Sequence, residues 1–521
     1  MSSATPEPFE ADITRTIAEI RENNIELRIH HNKLFFSDPK CKLSRDKVEW
    51  LKAHEDEVLI WLAKHAFSPG RDVTDRADCF VQIAPLAFQQ QSAIVYREPN
   101  FYGIFSARLH GELDVDVLSR SLAIVVQRHS ALKSRVVMCD GALVQEIPQA
   151  SEDILSVETL FSSEADVTDD QAHKAAESFV AEWLSDGRDA FLVHLIRVAS
   201  GDHVLVVAWD HLFEDYFCAL LVFREIWTVY RDLSRHNEIS LQSKPVQYYE
   251  YAVWQRRTYS KWCEENGSYW KQRLAVGKSL ELRSDSTCSD AKPLKDRAFK
   301  IQLEASLSQA VCDLAQSQQI LPALAIFAVC SCLLSSWSGQ REFLFPFYVL
   351  GRHSSRHFRV VGYLSHPVPL TIKLQGSDRF VDMLRRISNE FLDASERLSN
   401  GMTLFEAPNP FETPFLQWFD SSPDLFNAVV SPSADSDFRE TGLSAAPFPI
   451  SLPFSESGVL DRVPLFVSLW NSPQGIVGGG LYRSDLFRHS TVLAFANGLR
   501  SACEAVVRDP AICIQELRFK A

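Results

Sequence analysis

The sequence predicts a mixed α/β protein, with a small helix–hairpin–helix domain in front of a much larger region of two halves. In the larger region, strand-like segments such as 101–109 and 204–209 alternate with helix-like segments such as Val115–Arg128, and this pattern continues to the end of the chain. The length of 521 residues is more than one ordinary hydrophobic core serves, so two or three domains are expected.

The N-terminal part has the residue spacing of a complete small domain. Residues 13–23 place apolar side chains at helical spacing, which predicts a short amphipathic helix. Residues 25–30 and 33–36 have the alternation of strands, and the two residues between them form a turn, so we predict a β-hairpin. Residues 44–62 then predict a second helix that Ser44 begins.

A linker is expected after this domain, because residues 67–78 are turn formers and charged residues with little apolar surface to bury. The expected boundaries are 1–66 for the hairpin domain, 67–78 for the linker, 79–270 for the first half of the large region and 271–521 for the second.

The hairpin region is basic, although the chain as a whole has a net charge of −14. Its charged residues are Arg28, Lys33, Lys40, Lys42, Arg45 and Lys47 against Asp38 and Asp46. Two interpretations stay open on charge alone. An exposed basic hairpin suits the capture of an acidic partner segment by strand addition, and a charged surface that only faces solvent has the same composition.

Composition excludes several classes of function. The net charge of −14 gives no electrostatic support for binding nucleic acid. The longest apolar run, 321–337, contains three serines and is shorter than the roughly 20 residues of a membrane span, so it predicts a buried helix and no membrane. The N-terminus has no apolar signal segment. The eleven cysteines are scattered without a CxxC pair, which indicates a reducing cytoplasm and neither a disulfide framework nor a metal site.

One segment has the residues for proton transfer. Residues 210–216, Asp-His-Leu-Phe-Glu-Asp-Tyr, directly follow the apolar strand 204–209. His211 is placed to act as a base, because imidazole titrates near neutral pH. Asp215, four residues later, can neutralise a nearby cation or hold the loop. Without further context, a hydrogen-bonded core histidine has the same pattern.

The order of many short blocks resembles the condensation-domain family of nonribosomal peptide synthetases, from Pro85 to Glu516. Any one block is weak, and their shared order carries the resemblance. The blocks are 85–90 (PLAFQQ), 128–135 (RHSALKSR), 210–216 (DHLFEDY), 248–255 (YYEYAVWQ), 338–340 (SGQ), 351–352 (GR), 361–363 (VGY), 481–487 (LYRSDLF) and 509–510 (DP). The N-terminal region separately resembles the β-hairpin docking domains at the front of some assembly-line proteins.

The resemblance implies a fold and a mode of action. The large region is expected to form two chloramphenicol-acetyltransferase-like halves in a V-shaped pseudo-dimer. Donor and acceptor enter from opposite faces, each usually on a phosphopantetheine arm that a carrier protein presents. No cofactor and no metal are expected to be bound by the chain itself.

Site residues follow from the signature His-His-x-x-x-Asp-Gly, which is similar to 210–216. Its second histidine corresponds to His211, the expected catalytic residue. Its aspartate corresponds to Asp215, which is structural in the family and pairs with an arginine of the second block. Arg135 is the expected partner, with Lys133 as the alternative.

The sequence departs from the family at three positions. Asp210 stands at the first signature histidine, a supporting position, and Tyr216 stands at the glycine beside the reacting centre. His366 stands where the family has asparagine. We assign Tyr216 and His366 to the acceptor channel, which the tyrosine ring is expected to reshape.

The sequence has no carrier attachment site and no adenylation-like stretch, so a stand-alone enzyme that acts in trans is expected. It would move an acyl, polyketide or peptidyl chain from a carrier protein onto an amine or hydroxyl of a free or carrier-bound acceptor. The carrier is expected to bear an acidic C-terminal docking segment that binds Arg28, Lys33, Lys40 and Lys42. The alternative is a catalytically inactive scaffold that recruits tailoring enzymes or carrier proteins. The docking domain argues against a simple acetyl-CoA-dependent acyltransferase.

Overall fold

The structure is a computed structural model that describes residues 8–23, 25–30, 33–37, 42–65, 81–96, 102–139, 141–149, 154–161, 167–186, 190–285, 297–352, 354–398, 413–419, 437–450, 463–472 and 474–517. The chain divides into two compact units. The first contains Met1–Thr258, Arg352–Leu364 and Asp424–Pro453, and the second contains Tyr259–Gly351, Ser365–Pro423 and Phe454–Ala521. Two later segments thus belong to the first unit. The expected linker 67–78 lies outside the described residues, and the expected domain boundaries stay predictions.

The described elements alternate between helix and strand as predicted. The helices are α1 (Pro8–Glu22), α2 (Arg45–Ala53), α3 (Glu55–His65), α4 (Phe88–Val95), α5 (Val115–Arg128), α6 (Asp169–Asp186), α7 (Tyr216–Ser234), α8 (Tyr248–Val276), α9 (Ala305–Ser317), α10 (Pro322–Ser338), α11 (Phe380–Arg397) and α12 (His489–Arg508). The strands are β1 (Glu26–His30), β2 (Lys33–Ser37), β3 (Val81–Pro85), β4 (Tyr102–His110), β5 (Arg135–Cys139), β6 (Ala142–Pro148), β7 (Leu155–Thr159), β8 (Phe191–Ala199), β9 (Asp202–Asp210), β10 (Ala298–Gln302), β11 (Glu342–Val349), β12 (His366–Lys373), β13 (Phe415–Phe419), β14 (Ser444–Pro447), β15 (Leu465–Ser472) and β16 (Gly475–Tyr482).

The first unit contains two five-stranded sheets, in the orders β2-β1-β5-β6-β3 and β14-β4-β9-β8-β7. In the second sheet β9 lies between β4 and β8, and its residues from His203 to Asp210 are buried. The pairing of Tyr102 with Asp210 places the carboxyl end of β9 beside the start of β4. A strand buried on both faces is a rigid support for the residues that follow it.

The N-terminal hairpin is part of the first sheet. β1 pairs with β2 on one side and with β5 on the other, with Ile29 opposite Val136. Buried residues of α1 and β1, such as Ile17 and Leu27, belong to the same hydrophobic cluster as Leu118 of α5. The hairpin region and the larger region therefore share one core.

One predicted helix is two helices in the structure. Ser44 caps α2 as predicted, since its side chain accepts from the amide of Lys47. The helix ends at His54, whose φ of −120° and ψ of 30° are not helical, and α3 begins at the next residue. The His54 ring also hydrogen-bonds the Trp50 carbonyl at 2.9 Å, which stabilises this break.

The second unit contains a six-stranded sheet in the order β10-β16-β15-β13-β11-β12. The predicted buried helix in 321–337 is confirmed as α10, which has Pro322 in its first turn and ends at Gly339 with φ of 79°. Within the part of the chain described here, each helix taken singly falls short of the length and apolar character of a membrane span. α9 and α10 reach that standard only as a pair, and they are bent by 104°.

Candidate active site

The turn between β9 and α7 carries the predicted catalytic residue. The Asp210 carboxylate accepts from the Leu212 amide at 2.9 Å, and the Asp210 carbonyl accepts from the Phe213 amide at 3.0 Å. These two bonds close a short turn directly after a buried strand. His211 lies inside this turn and is half-buried, so the fold fixes its backbone and leaves part of its side chain accessible.

Asp215 anchors the other end of the turn. It is the N-cap of α7, where its side chain accepts from the Cys218 amide at 3.0 Å. Its two oxygens also accept from the Arg352 guanidinium at 2.8 and 2.9 Å, and Oδ2 accepts from the Leu364 amide at 3.1 Å. Burial raises the pKa of Asp215, but the charge and hydrogen bonds of Arg352 outweigh burial and lower it overall. Asp215 is therefore an ionised structural anchor.

The predicted partner of Asp215 was wrong: the arginine that pairs with it is Arg352, and not Arg135. Arg135 begins β5, and the alternative, Lys133, donates to the Gln127 side chain and the Gln149 carbonyl at 2.8 Å each. The reason lies in the fold, because the segment 352–364 belongs to the first unit and brings its own arginine.

The second block instead holds α5 against α7. Arg128 donates to Glu225 of α7 at 2.9 Å, and His129 lies 2.7 Å from the same carboxylate. Arg128 also donates to the Gln242 and Ser243 carbonyls. This block stabilises the helix that Asp215 caps.

The segment 352–364 is packed tightly against α7 and α8. The Cys218 thiol lies 3.0 Å from the Gly362 amide, and the Tyr248 hydroxyl donates to the Tyr363 carbonyl at 2.8 Å. A Cβ at Gly362 would lie 2.3 Å from Cδ2 of Tyr248, so only glycine fits there. The Tyr363 ring then lies edge-on to the His211 ring, with centroids 5.1 Å apart.

The glutamine block supports the turn from a third direction. Gln90 donates to the Leu212 carbonyl at 2.9 Å and is itself held by the Ala87 amide at 2.9 Å. Gln89 donates to the Leu364 carbonyl at 3.2 Å and accepts from Gln255 at 3.1 Å. The blocks that the sequence presents far apart thus converge on the residues beside His211.

His211 is a neutral imidazole at physiological pH. Burial lowers the pKa of His211, and the charge of Asp215, two backbone hydrogen bonds and the charge of Asp210 offset only part of this effect. An imidazole whose pKa lies below its ordinary value of about 6.5 is deprotonated at pH 7. It can accept a proton from an incoming nucleophile.

Glu214 is a second buried titratable group in the turn. Its side chain is 1% exposed, and among the described residues none donates a hydrogen bond to its Oε2. Burial, and next the negative charge of Asp215, raise the pKa of Glu214 well above its ordinary value. Glu214 is therefore protonated at neutral pH.

Replacing Glu214 by glutamine is expected to stabilise the protein increasingly as pH rises. The unfolded glutamate ionises above about pH 4.5 while the folded one does not, so the native glutamate loses stability above that pH. Glutamine has the same shape and does not ionise. Calorimetry at pH 4.5 and pH 8 should show a higher Tm of E214Q than of the wild type at pH 8 only. The exposed control E112Q should change little, and an equal Tm difference for E214Q at both pH values would contradict the assignment.

The other predicted site residues are dispersed. Asp210 is buried at the end of β9, and Tyr216 is half-buried as the first residue of α7. His366 belongs to the second unit, where it begins β12 opposite Val349 and is 1% exposed. The assignment of Tyr216 and His366 to an acceptor channel stays a prediction.

The basic residues of the hairpin differ in exposure. Lys33 is exposed on β2, whereas Arg28 is half-buried on β1. The Lys42 ammonium donates to the Asn23 carbonyl at 2.6 Å. Lys40 lies outside the described residues. Of these four, Lys33 best fits the expected partner surface.

A family model described as the condensation domain matches residues 95–519. The chain belongs to the condensation-domain family. The predicted α/β fold with chloramphenicol-acetyltransferase-like halves is thereby confirmed, since solved condensation domains share it. Arg352, Gln90 and Tyr363 stand in blocks that the sequence had already indicated. Their contacts with Asp215, Leu212 and His211 had no signal in the chain order.

Relatives place this condensation domain beside much larger proteins. A linear gramicidin synthase of Brevibacillus parabrevis is 23% identical over 456 residues, which cover 84% of this chain and 6% of the synthase. The dimodular nonribosomal peptide synthase of Bacillus subtilis is 23% identical over 447 residues, which cover 82% of this chain and 18% of that protein. The chain thus spans a small part of the curated relatives it matches.

Two solved structures share the fold over most of the chain. The complex of the X-domain and OxyB from teicoplanin biosynthesis matches with a TM-score of 0.64 and 18% identity, over 84% of this chain and 96% of that one. The EpoB cyclization-docking bidomain of Sorangium cellulosum matches with a TM-score of 0.58 and 16% identity, over 96% of this chain and 99% of that one.

Proposed function

We propose that this condensation domain is a catalytically active acyltransferase. It acts in trans on an acyl, polyketide or peptidyl chain held as a thioester on a carrier protein, and it transfers that chain to an amine or a hydroxyl. One observation carries the proposal: His211 is neutral, partly accessible and held in a turn that is anchored from three directions. A fold that had lost catalysis would have no need to keep this arrangement.

The chemistry assigned to His211 is a proton relay. The acceptor nitrogen or oxygen attacks the thioester carbonyl, and His211 takes the proton that the nucleophile loses or orients the nucleophile for attack. A C–N or C–O bond forms while the C–S bond breaks. The proton then passes to the departing thiolate of the carrier's phosphopantetheine arm, so the chain itself needs no metal and no cofactor.

The rate of acyl transfer is expected to stay constant from pH 7 down to about pH 6.5 and to fall only below it. His211 must be neutral to accept a proton, and burial keeps the pKa of His211 below its ordinary value. Single-turnover rates between pH 5 and pH 8 measure this acidic limb. A midpoint at or above 6.5 would show that burial does not control the protonation of His211.

The activity itself is tested by intact-protein mass spectrometry of an acyl-loaded carrier that bears an acidic C-terminal segment. The carrier is incubated with this protein and with candidate amines and alcohols. The proposal predicts acceptor-dependent loss of the acyl mass and a product with the matching amide or ester mass. Acyl loss at the same rate without acceptor would indicate simple hydrolysis and would contradict it.

For the carrier, we propose that the N-terminal hairpin is a docking site for the acidic C-terminal segment. The fold match to the cyclization-docking bidomain extends over 96% of this chain, which supports a docking role for the hairpin region. β1 already has neighbours on both sides, so the edge that can accept another strand belongs to β2. Lys33 is exposed on this strand, while the edge amide of Leu34 donates to Glu55.

Substitutions at this edge are expected to change the affinity for an acidic segment in opposite directions. Lys33→Glu should weaken binding and Glu55→Gln should strengthen it, each by about 3–10-fold at low salt, because each changes one charge at the rim. Fluorescence anisotropy of a labelled acidic peptide measures both, and added salt should reduce both effects. Unchanged affinity in both variants would exclude this edge as the binding site.

The alternative function is a scaffold without catalysis. One observation favours it: the structurally similar X-domain is described in complex with another protein, OxyB. The departures at Asp210 and Tyr216 also fit it. If the acidic segment binds tightly while no acceptor unloads the carrier, the scaffold replaces the enzyme as the best account.

A reducing cytoplasm is proposed as the place of action. Cys139, Cys218, Cys263, Cys312, Cys330, Cys332, Cys503 and Cys513 are free thiols, which is typical of a protein from such a compartment.

A further inference from the structure

The last residue of the first hairpin strand contacts the signature turn. Nδ1 of His30 lies 3.1 Å from Oδ2 of Asp210, the distance of a hydrogen bond in which the imidazole N–H donates to the carboxylate. The His30 ring also lies edge-on to Trp183 of α6, with centroids 5.4 Å apart. The N-terminal hairpin thus reaches the residue next to His211.

This contact is buried from both sides. The side chains of His30 and Asp210 are 5% and 1% exposed. A buried carboxylate is costly unless hydrogen bonds and a partner compensate for the lost water. His30 supplies such a partner from outside the segment that resembles the condensation family.

The pair acts on the turn through the second oxygen of Asp210. Oδ1 accepts from the Leu212 amide at 2.9 Å, while Gln90 fixes the Leu212 carbonyl. Rotation of the Asp210 carboxylate would release Leu212, the residue directly after His211. A displacement of about 1 Å in a catalytic group can cost 100-fold in rate.

The position of His30 is itself rigid. β1 pairs with β5, and the neighbouring residues Leu27 and Ile29 are buried in the core shared with α5. A side chain on a central strand of a sheet is held better than one on a mobile docking module.

We propose that His30 is a positioning residue for His211, and that the hairpin is a structural part of the active site. Asp210, which stands where the family signature has histidine, is then one half of a pair whose other half is His30. The kinetic consequence rests on the proposed function, whereas the structural consequence does not.

The test compares variants of the full chain. His30→Leu keeps apolar volume against Trp183 but removes the N–H donor from Asp210. His30→Asn is the conservative variant, because its amide nitrogen occupies about the place of the imidazole Nδ1. Asp210→Asn removes the charge and keeps an acceptor for Leu212, so the double variant H30L/D210N leaves no buried carboxylate unpaired.

Two readouts are measured: kcat and KM of acyl transfer, and hydrogen exchange at the Leu212 amide. His30→Leu is expected to lower kcat at least tenfold with KM within about twofold, and to speed exchange at Leu212 at least tenfold. His30→Asn should stay within about threefold of the wild type in both, and H30L/D210N should regain most of what H30L loses.

His194→Leu is the matched control, since His194 is a buried histidine on β8 that lies 3.3 Å from Glu158 and away from the turn. At a similar loss of Tm it should leave kcat and Leu212 exchange within about twofold of the wild type. Wild-type exchange and kcat in H30L, equal losses in H194L, or no recovery in either H30N or H30L/D210N would overturn the inference. If the wild-type protein transfers no acyl group, the proposed function fails, and Leu212 exchange still decides the role of His30.

Discussion

Replacing Arg352 by methionine is expected to lower the free energy of unfolding by about 3–5 kcal/mol, because it leaves the Asp215 carboxylate buried without its cation. The two side chains are 1% and 3% exposed and share two hydrogen bonds. The same change removes the bond to the Val360 carbonyl and so loosens segment 352–364. Urea unfolding at pH 7 measures the loss.

The destabilisation by R352M should depend on pH. Arg352 holds the pKa of Asp215 below its ordinary value, so the pair contributes stability above about pH 4, and this contribution disappears as pH falls through the lowered pKa. The gap between R352M and wild type should therefore narrow in strong acid. A gap that is the same at every pH would contradict the ion pair as its cause.

Two control variants separate the buried charge from the loss of an arginine. Arg235 pairs with Glu440 at 2.7 Å, but both side chains are about half exposed, so Arg235→Met should cost less than about 1 kcal/mol. In the double variant R352M/D215N the asparagine keeps the cap on α7 and carries no charge. It should regain part of the stability that R352M loses, and no recovery would mean that packing of Arg352 is the dominant effect.

The sequence predicted elements well where the pattern is local. The alternation in 25–30 and 33–36 lies within two strands that pair with each other, so the hairpin was recognised to within one residue at each end. The break at His54 was missed, because it depends on the backbone angles of one residue and not on apolar spacing. The same holds for the pairing of β1 with β5, which residue periodicity does not encode.

The site was predictable only within one segment. The order His211, then Asp215 four residues later, was readable, because both lie between the strand and the helix that position them. The cation for Asp215 comes from Arg352, 137 residues further along the chain, and sequence order favoured Arg135 instead. That a buried carboxylate needs a cation follows from physics, but which arginine reaches it depends on the tertiary fold. The contact of His30 with Asp210 had no sequence signal at all.

Replacing His211 by alanine is expected to lower the rate of acyl transfer by about 10²–10⁴-fold, the usual contribution of a positioned proton acceptor. The loss should appear in the chemical step, because the carrier is proposed to bind at the hairpin and not at the turn. The affinity for the acidic segment and the Tm should stay near those of the wild type. His211 contributes no ion pair comparable to that of Asp215 with Arg352.

The most direct measurement is the single-turnover rate of acyl unloading at saturating acceptor, for wild type, H211A and the control H194A. The account predicts rapid unloading by the wild type and by H194A, and unloading by H211A that is at least 100-fold slower while the acidic segment still binds. Unloading by H211A within about threefold of the wild-type rate would contradict the central claim that His211 carries the chemistry.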